Sequence, residues 1–398
     1  MKSKKISDVR EEGEVFLKTP RRRLVEKLKD RKLLIELLIS LIVFIAIIAL
    51  VFVIWAYAGP CYWVGRLKFE TPAVVEYPHA LPTPRHNATF VPFAIVGDTQ
   101  RTSFWECAIG REVNDEETAI IIKTIARSKA KFIVLLGDMV FDGGNEKHWN
   151  YFDKMIMPWR QANLPLLPVV GNHEYWGNRR SAQGYVEERF PGLRKSTWYS
   201  KQNGNLGMIW INSNHGEMSG TLWNVQLEWL KALIVEWDLK VDIKSIILFA
   251  HHPPYTNSVV ASSDLKVRND VGQVLLRTNK AIAMVTGHAH GYERFKNTEE
   301  PPKLCSESFT CNTVQHYNKN DGSIYQPVQF IVSGGGGGPR PKELRNDYED
   351  AFIGDSPRPF NFLLIEPSDN GIQISTHGLQ KGQTNTYLIE EMNVPYLT

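Results

Sequence analysis

Cysteine is scarce in this chain, four in 398 residues: Cys61, Cys107, Cys305 and Cys311. So sparse a set excludes a small fold held together by a disulfide framework. It also argues against a structural zinc site, because the one close pair, in CSESFTC, has no second Cys or His pair at ligand spacing nearby. No internal repeat is present, which excludes a solenoid or propeller. Charge of one sign is missing too, since 46 Lys and Arg stand against 43 Asp and Glu for a formal net charge of +3. What remains, 43% hydrophobic and 11% aromatic residues, is the composition of a globular protein with a large core, in one big domain or two modest ones.

One segment departs from that average. Within residues 33–58, LLIELLISLIVFIAIIALVFVIWAYA, the stretch from Leu37 onward runs 22 residues without a charge, which is long enough for a helix to cross a bilayer. A core helix of this length is rarely apolar on every side. Trp55 and Tyr57 stand where an interfacial aromatic belt would. Residues 1–32 hold twelve Lys and Arg against six acids, while the twenty residues after the span hold only Arg66 and Lys68. The positive-inside rule then keeps residues 1–32 in the cytoplasm and places everything after Gly59 outside it, with the cell membrane crossed once. The basic tail carries +6, so the remainder carries about −3 of the total. An exported part of that charge is no nucleic-acid binder, whereas the tail suits anionic lipid headgroups or serves only to fix topology.

A cleaved signal peptide competes with this reading, because Ala56-Tyr57-Ala58 has the small-x-small form a signal peptidase accepts. The 32-residue charged leader and the length of the apolar run favour an uncleaved signal anchor. Outside the cytoplasm disulfides are permitted, with Cys305 and Cys311 the candidate pair, and Asn87-Ala88-Thr89 fits a glycosylation acceptor.

Residues 59–89 are rich in proline and without periodicity, as a stalk should be. From residue 90 to the end, short apolar runs alternate with helical patterns. PFAIVGD precedes a helix over 115–130, KFIVLLGD precedes one over 146–162, and LPLLPVVGNHE follows. MIWINSN, an amphipathic helix over 224–239, SIILFAHH, a helix near 272–278, AIAMVTGHAH and VQFIVSGGGGG continue the rhythm, and NFLLIEP and GIQISTH close it as strands. This predicts an α/β fold of βαβ units around a buried sheet.

Five stretches follow strands directly: Gly97-Asp98-Thr99-Gln100, Gly137-Asp138, Gly171-Asn172-His173-Glu174, His251-His252 and Gly287-His288-Ala289-His290. Singly, each is an ordinary turn or helix cap. Together they set carboxylates, an amide and several imidazoles at the ends of consecutive strands, where α/β sheets bind ligands. Mixed Asp, Asn and His donors suit first-row divalent ions better than calcium.

In this order and at these spacings the motifs resemble those of the calcineurin-like metallophosphoesterase superfamily, which run Asp-x-His, Gly-Asp, Gly-Asn-His-Glu, His and Gly-His-x-His. The resemblance covers residues 91–377, and HHPPY, GHAHGYER and VSGGGGG look further like its purple acid phosphatase branch. It implies a four-layer αββα sandwich behind the single transmembrane helix. It also implies two divalent metal ions (Mn, Fe or Zn) that share a hydroxide in line with the leaving group of a phosphate ester. By the same resemblance, Asp98 and His290 hold the first metal, Asn172, His251 and His288 hold the second, Asp138 bridges them, and His173 protonates the leaving alkoxide or stabilises the transition state. The donor set suits this chemistry, since neutral imidazoles and an amide limit the negative charge around a site that must admit an anion.

Two positions depart from the family pattern. Gln100 stands where the first motif has His, and its carbonyl oxygen can ligate a cation. Phe141 stands where purple acid phosphatases have a metal-bound Tyr, so neither ferric iron nor colour is expected. His252, Tyr255 and Arg294 lie close in sequence to the ligands and are candidates for substrate contact, Arg294 by bidentate phosphate binding; packing and an ion pair are their alternative roles. The glycine run 334–338 lacks the Gly-Lys-Ser ending of a P-loop and reads as backbone skirting the metal site. The expected protein is thus a membrane-anchored, extracytoplasmic phosphoesterase. The alternative, prompted by the missing His, is a catalytically weak metal-binding sensor or anchor with the same fold.

Overall fold

The computed structural model describes residues 20–58, 77–78, 80–82, 90–296, 328–345, 347–348, 357–368 and 371–396. The chain forms two compact units, Met1–Tyr62 and Trp63–Thr398. The expected Cys305–Cys311 pair, the acceptor at Asn87 and most of the stalk lie outside the described residues. Cys107 is disulfide-bonded.

The described part of the first unit is one helix, α1 (Pro20–Ala58, 39 residues). Its stretch Lys29–Ile54 contains an 18-residue window with a mean hydropathy of 3.5, and its large apolar side chains from Leu33 to Ile54 are all exposed. The helix is long and apolar enough to cross a membrane, as is the hydrophobic part of a signal sequence.

The second unit holds two six-stranded sheets. The first comprises β1 (Phe93–Val96), β2 (Ile133–Leu135), β3 (Leu166–Pro168), β10 (Phe360–Ser368), β11 (Gly371–Leu379) and β12 (Tyr387–Pro395), in the order β12-β11-β10-β1-β2-β3. The second comprises β4 (Tyr199–Asn203), β5 (Leu206–Trp210), β6 (Ser245–Phe249), β7 (Ala281–Thr286), β8 (Tyr292–Lys296) and β9 (Gln329–Ser333), in the order β4-β5-β6-β7-β9-β8. β1, β2 and β3 run parallel, as do β5, β6, β7 and β9. Each parallel set therefore presents the ends of its strands along one edge.

Alternation of side chains sorts the apolar residues into three layers of core. Phe93, Ile95 and Val134 from one sheet meet Met208, Ile247 and Val285 from the other. The opposite face of the first sheet, with Ala94 and Ile133, packs on Ile121, Ile125, Trp149 and Trp159. That of the second, with Ile209 and Leu248, packs on Trp223, Leu230, Ile234 and Trp237. The helices that supply these residues are α3 (Asp115–Arg127), α4 (Glu146–Met155) and α5 (Met157–Gln161) on one side and α7 (Gly220–Leu239) on the other. Helix, sheet, sheet, helix is the αββα sandwich expected.

Several elements differ from expectation, β4 and β8 among them, each a strand that no apolar run announced. The helix expected over 146–162 is broken at Ile156, where Pro158 opens the next helix, because proline has no N–H to give the preceding turn. RRSAQGYVEER, which the apolar rhythm passes over, is helix α6 (Arg179–Arg189), capped by Asn178 and burying only Ala182, Val186 and Arg189, too thin a stripe to register as a period. β12 is a third closing strand that pairs β11 and is largely exposed. A further short helix, α2 (Phe104–Ala108), follows β1 with a complete capping box between Ser103 and Glu106.

Candidate metal centre

Every quoted motif begins within three residues of the end of a parallel strand. Asp98 follows β1 and Asp138 follows β2, each one step beyond a glycine, and Asn172, His251 and His288 follow β3, β6 and β7. The backbone there is strained. Of five non-glycine residues with positive φ among the described residues, four are Asp98 (58°), Asp138 (50°), His288 (69°) and His290 (52°). Such strain persists only where surrounding structure holds it, typically at functional sites. Two glycines make room: a Cβ on Gly137 would sit 2.8 Å from His251 Nδ1, and one on Gly338 would sit 2.8 Å from His290 Cε1. Gly338 belongs to the glycine run, whose N–H groups bond to the carbonyls of Gly97 (from Gly336, 2.9 Å) and Asp98 (from Gly338, 2.8 Å). The run skirts the site, as its sequence suggested.

Backbone carbonyls orient three of the imidazoles in the same way. His251 Nδ1 donates to Leu136 O (2.8 Å), His290 Nδ1 to Pro339 O (2.9 Å) and His173 Nδ1 to Phe141 O (2.6 Å). Each such bond fixes the tautomer and leaves Nε2 to face inward. His251 Nε2 lies 2.9 Å from Asn172 Oδ1, 3.1 Å from His288 Nδ1 and 3.3 Å from Asp138 Oδ1. His290 Nε2 lies 3.6 Å from Asp98 Oδ1, and His173 Nε2 lies 3.7 Å from Asp138 Oδ2. The Gln100 amide takes the orientation its neighbours require, NH2 donating to the carbonyls of Asp138 (2.9 Å) and Asp98 (3.1 Å). Its oxygen then points at His290 Nε2, 2.9 Å away.

Two overlapping sets of donors arise, Asp98 with Asp138 and His251, and His251 with His252 and His288; within each set one ligand atom per residue lies within 4.8 Å of the others. Burial pushes the Asp98 carboxyl well above its ordinary range. Burial acts the same way on Asp138, but His173 and His251 beside it outweigh that and hold it below the carboxylate range. Burial disfavours charge on His251 too, yet Asp138 drives it up to about 9. Burial brings His288 down to about 3 and His290 to about 4, and takes His252 well below its ordinary value. Neutral imidazoles, with lone pairs facing two carboxylates too close to ionise together, fit divalent cations, which would replace the protons on Asp98 and His251.

The structure brings together Asp98, Gln100, Asp138, Asn172, His173, His251, His288 and His290. His252 joins them instead of pointing away: its ring lies 4.6 Å from that of His288, and Nδ1 pairs with Ser213 Oγ at 2.9 Å. Two candidates are elsewhere. Tyr255 is buried against Phe295, Phe330 and Tyr348, under the Arg268 guanidinium at 4.2 Å. Arg294 forms an ion pair with Glu390 of β12, with Nε donating at 2.9 Å and Nη2 at 2.8 Å. The ion-pair role is the one its position fits.

Three contributors were not read from sequence. Glu174, quoted only as part of its motif, accepts the N–H groups of Asp138 (2.9 Å), Met139 (2.8 Å) and Gly171 (2.8 Å), tying the loop after β2 to the loop after β3. Ser213 Oγ accepts the N–H groups of His251 (3.1 Å) and His252 (2.9 Å); its signal was a polar residue just beyond the apolar strand MIWIN. Trp176 stacks on His173 with centroids 3.7 Å apart, and nothing local marked it.

The sequence model of the calcineurin-like phosphoesterase family matches residues 91–292, about half of the chain, and the chain belongs to this family. Within it the chain is similar to the purple acid phosphatases. It is 23% identical to purple acid phosphatase 22 of Arabidopsis thaliana over 224 residues, 52% of this chain and 45% of that protein. To purple acid phosphatase 18 of the same plant it is 23% identical over 243 residues, 58% and 49% of the two chains. It thus spans about half the length of the curated relatives it matches. Purple acid phosphatase PPD1 from yellow lupin seeds shares the fold at a TM-score of 0.50 and 19% identity, covering 76% of this chain and 54% of that one. GAP50, described as the anchor in the inner membrane complex of Plasmodium, does so at 0.54 and 15%, covering 77% and 89%.

Proposed function

We infer that the protein is a membrane-anchored phosphoesterase that hydrolyses phosphate esters outside the cytoplasm with two divalent ions. The observation that carries this reading is the donor set at the strand ends: Asp98, Gln100 and His290 for one ion, Asn172, His251 and His288 for the other, and Asp138 between them. The ions, when bound, would supply the nucleophile and neutralise the charge that develops on the phosphoryl oxygens. His173 is the proton donor. With Nδ1 committed to the Phe141 carbonyl and its ring stacked on Trp176, Nε2 is held at the rim of the site, where a departing alkoxide takes up a proton. His252, held by Ser213, meets the phosphate from the His288 side. Export is supported by the apolar helix, by the basic residues ahead of it and by the disulfide at Cys107.

One observation favours a second reading, a catalytically weak sensor or anchor: Gln100 is a weaker donor than the imidazole it replaces. A single assay separates the two. The full-length chain in detergent, reconstituted with Mn, Fe(II) or Zn, is given p-nitrophenyl phosphate and bis-p-nitrophenyl phosphate beside an Asp138→Asn variant. Metal-dependent turnover that falls by about a hundredfold or more in the variant supports the hydrolase. No turnover with any of these ions, in a folded protein that binds them, supports the sensor.

A further inference from the structure

A cleft of about 420 Å³ opens beside the candidate centre. One wall is the segment just beyond Gln100, with Arg101, Phe104 and Trp105; its floor follows Asp138 and ends in Phe141, and the start of α4 contributes His148 and Tyr151. Phe141 joins the cleft to the centre. Its carbonyl accepts the His173 Nδ1–H, and its ring lies 5.3 Å from that of His173, edge to face. A group that leaves after protonation by His173 has this cleft beside it.

The chemistry of the lining is specific. Trp105 is 67% exposed, on a short helix pinned by its capping box and by the disulfide at Cys107, and it stands edge to face with Phe104 at 5.3 Å. Arg101 is held by Asp115 through contacts of 2.5 to 2.9 Å and lies over the Tyr151 ring at 5.0 Å, so its charge is already matched. Lys147 and Asp142 are both among the lining residues and have opposite signs. His148 accepts the Asp142 N–H at Nδ1 (3.1 Å), which places its ring proton on Nε2 as a donor, and burial disfavours its charged form. Aromatic faces, a guanidinium matched by Asp115 and an imidazole N–H donor suit a flat, uncharged ring that accepts hydrogen bonds. An acyl chain would leave the imidazole donor unused.

We propose that this cleft holds the base of a nucleoside monophosphate whose 5′-phosphate is hydrolysed at the centre, an assignment that rests on the phosphoesterase reading. Water adds to phosphorus and the P–O5′ bond breaks; His173, as the imidazolium with Nδ1–H on the Phe141 carbonyl, gives its Nε2 proton to O5′ and recovers one from the added water as nucleoside and inorganic phosphate are released. The test compares adenosine 5′-monophosphate with ribose 5-phosphate on the full-length chain in detergent with Mn(II). Both release the same primary alcohol, so the ratio of kcat/KM reports the base alone. Base stacking predicts a ratio of about tenfold to a hundredfold, falling below about threefold in Trp105→Ala and in Phe104→Ala; the exposure of Trp105 makes loss of folding by its truncation no confounder. Adenosine alone, followed by saturation-transfer NMR, binds the wild type and not Trp105→Ala. Both sugars hydrolysed at equal kcat/KM would overturn the base cleft and leave the phosphoesterase. Adenosine binding with no hydrolysis of either sugar or of p-nitrophenyl phosphate would overturn the phosphoesterase and leave the cleft. The absence of adenosine binding to the wild type overturns the cleft whatever the turnover.

Discussion

Glu174 holds the backbone N–H groups of Asp138, Met139 and Gly171, and that of Val140 at 3.4 Å, with one buried carboxylate. Each buried donor left without a partner costs on the order of 1–3 kcal/mol, so Glu174→Ala should lower unfolding free energy by about 3 kcal/mol or more in urea titrations. Because those donors include Asp138, Met139 and Gly171, affinity for divalent ions should fall about tenfold to a hundredfold in the same variant, read by calorimetry. On the proposed mechanism His173 acts on the substrate and not on the fold. His173→Ala should reduce kcat about 10² to 10⁴ times for alkyl phosphates and less for p-nitrophenyl phosphate, whose leaving group needs little protonation, with bound metal unchanged. The residues that cluster at the candidate centre were legible because each sits in a local pattern, an apolar strand followed at once by Gly-Asp, Asn-His or His-x-His. Tyr255 and Arg294 were not, because closeness in sequence does not say which way a side chain points. Arg294 shares a strand face with Tyr292, two residues before it, and both reach Glu390.

At the scale of elements, α7 shows how a helix carries a layer. Leu230 is fully buried among Trp223, Ile234 and Trp237 against the second sheet. Leu230→Ala should destabilise the domain by about 2–5 kcal/mol in urea, through lost burial and the cavity left behind, with the centre's metal affinity intact. A different pair joins the loop after α2 to the glycine run: Arg340 Nε donates to Glu112 Oε1 at 2.8 Å, and Nη2 to Oε2 at 3.1 Å. Burial alone would raise Glu112, but the Arg340 hydrogen bonds and charge outweigh it and hold the carboxyl below its ordinary 4.5. A depressed carboxyl contributes stability above its unfolded pKa and loses it as pH falls through the folded value. Unfolding free energy should therefore decline below pH 4.5, and Glu112→Gln should remove part of that decline while lowering stability at neutral pH by on the order of 1–3 kcal/mol. Long apolar strands and the 3.6-residue stripe of α7 were readable in advance. α6 and β12 were not, because one buries too few side chains to show a period and the other lies exposed at a sheet edge.

Taken whole, the molecule joins a helix with no polar face to a domain that buries its apolar residues in three cores. Such a helix is stable in hydrocarbon because every backbone group bonds within it, and in water its exposed side chains from Leu33 to Ile54 would drive association. On the proposed reading, twelve basic residues before it and two in the twenty after it would insert it with the tail inside. The disulfide at Cys107 agrees, since glutathione keeps cytosolic thiols reduced. Protease added to intact cells or sealed vesicles of known orientation should then remove the domain epitope and leave the tail protected, and detergent should expose both. Protection of the domain with loss of the tail would reverse the topology. Release of a soluble domain without the helix would instead mean that Ala56-Tyr57-Ala58 is cut and the segment serves only as a signal.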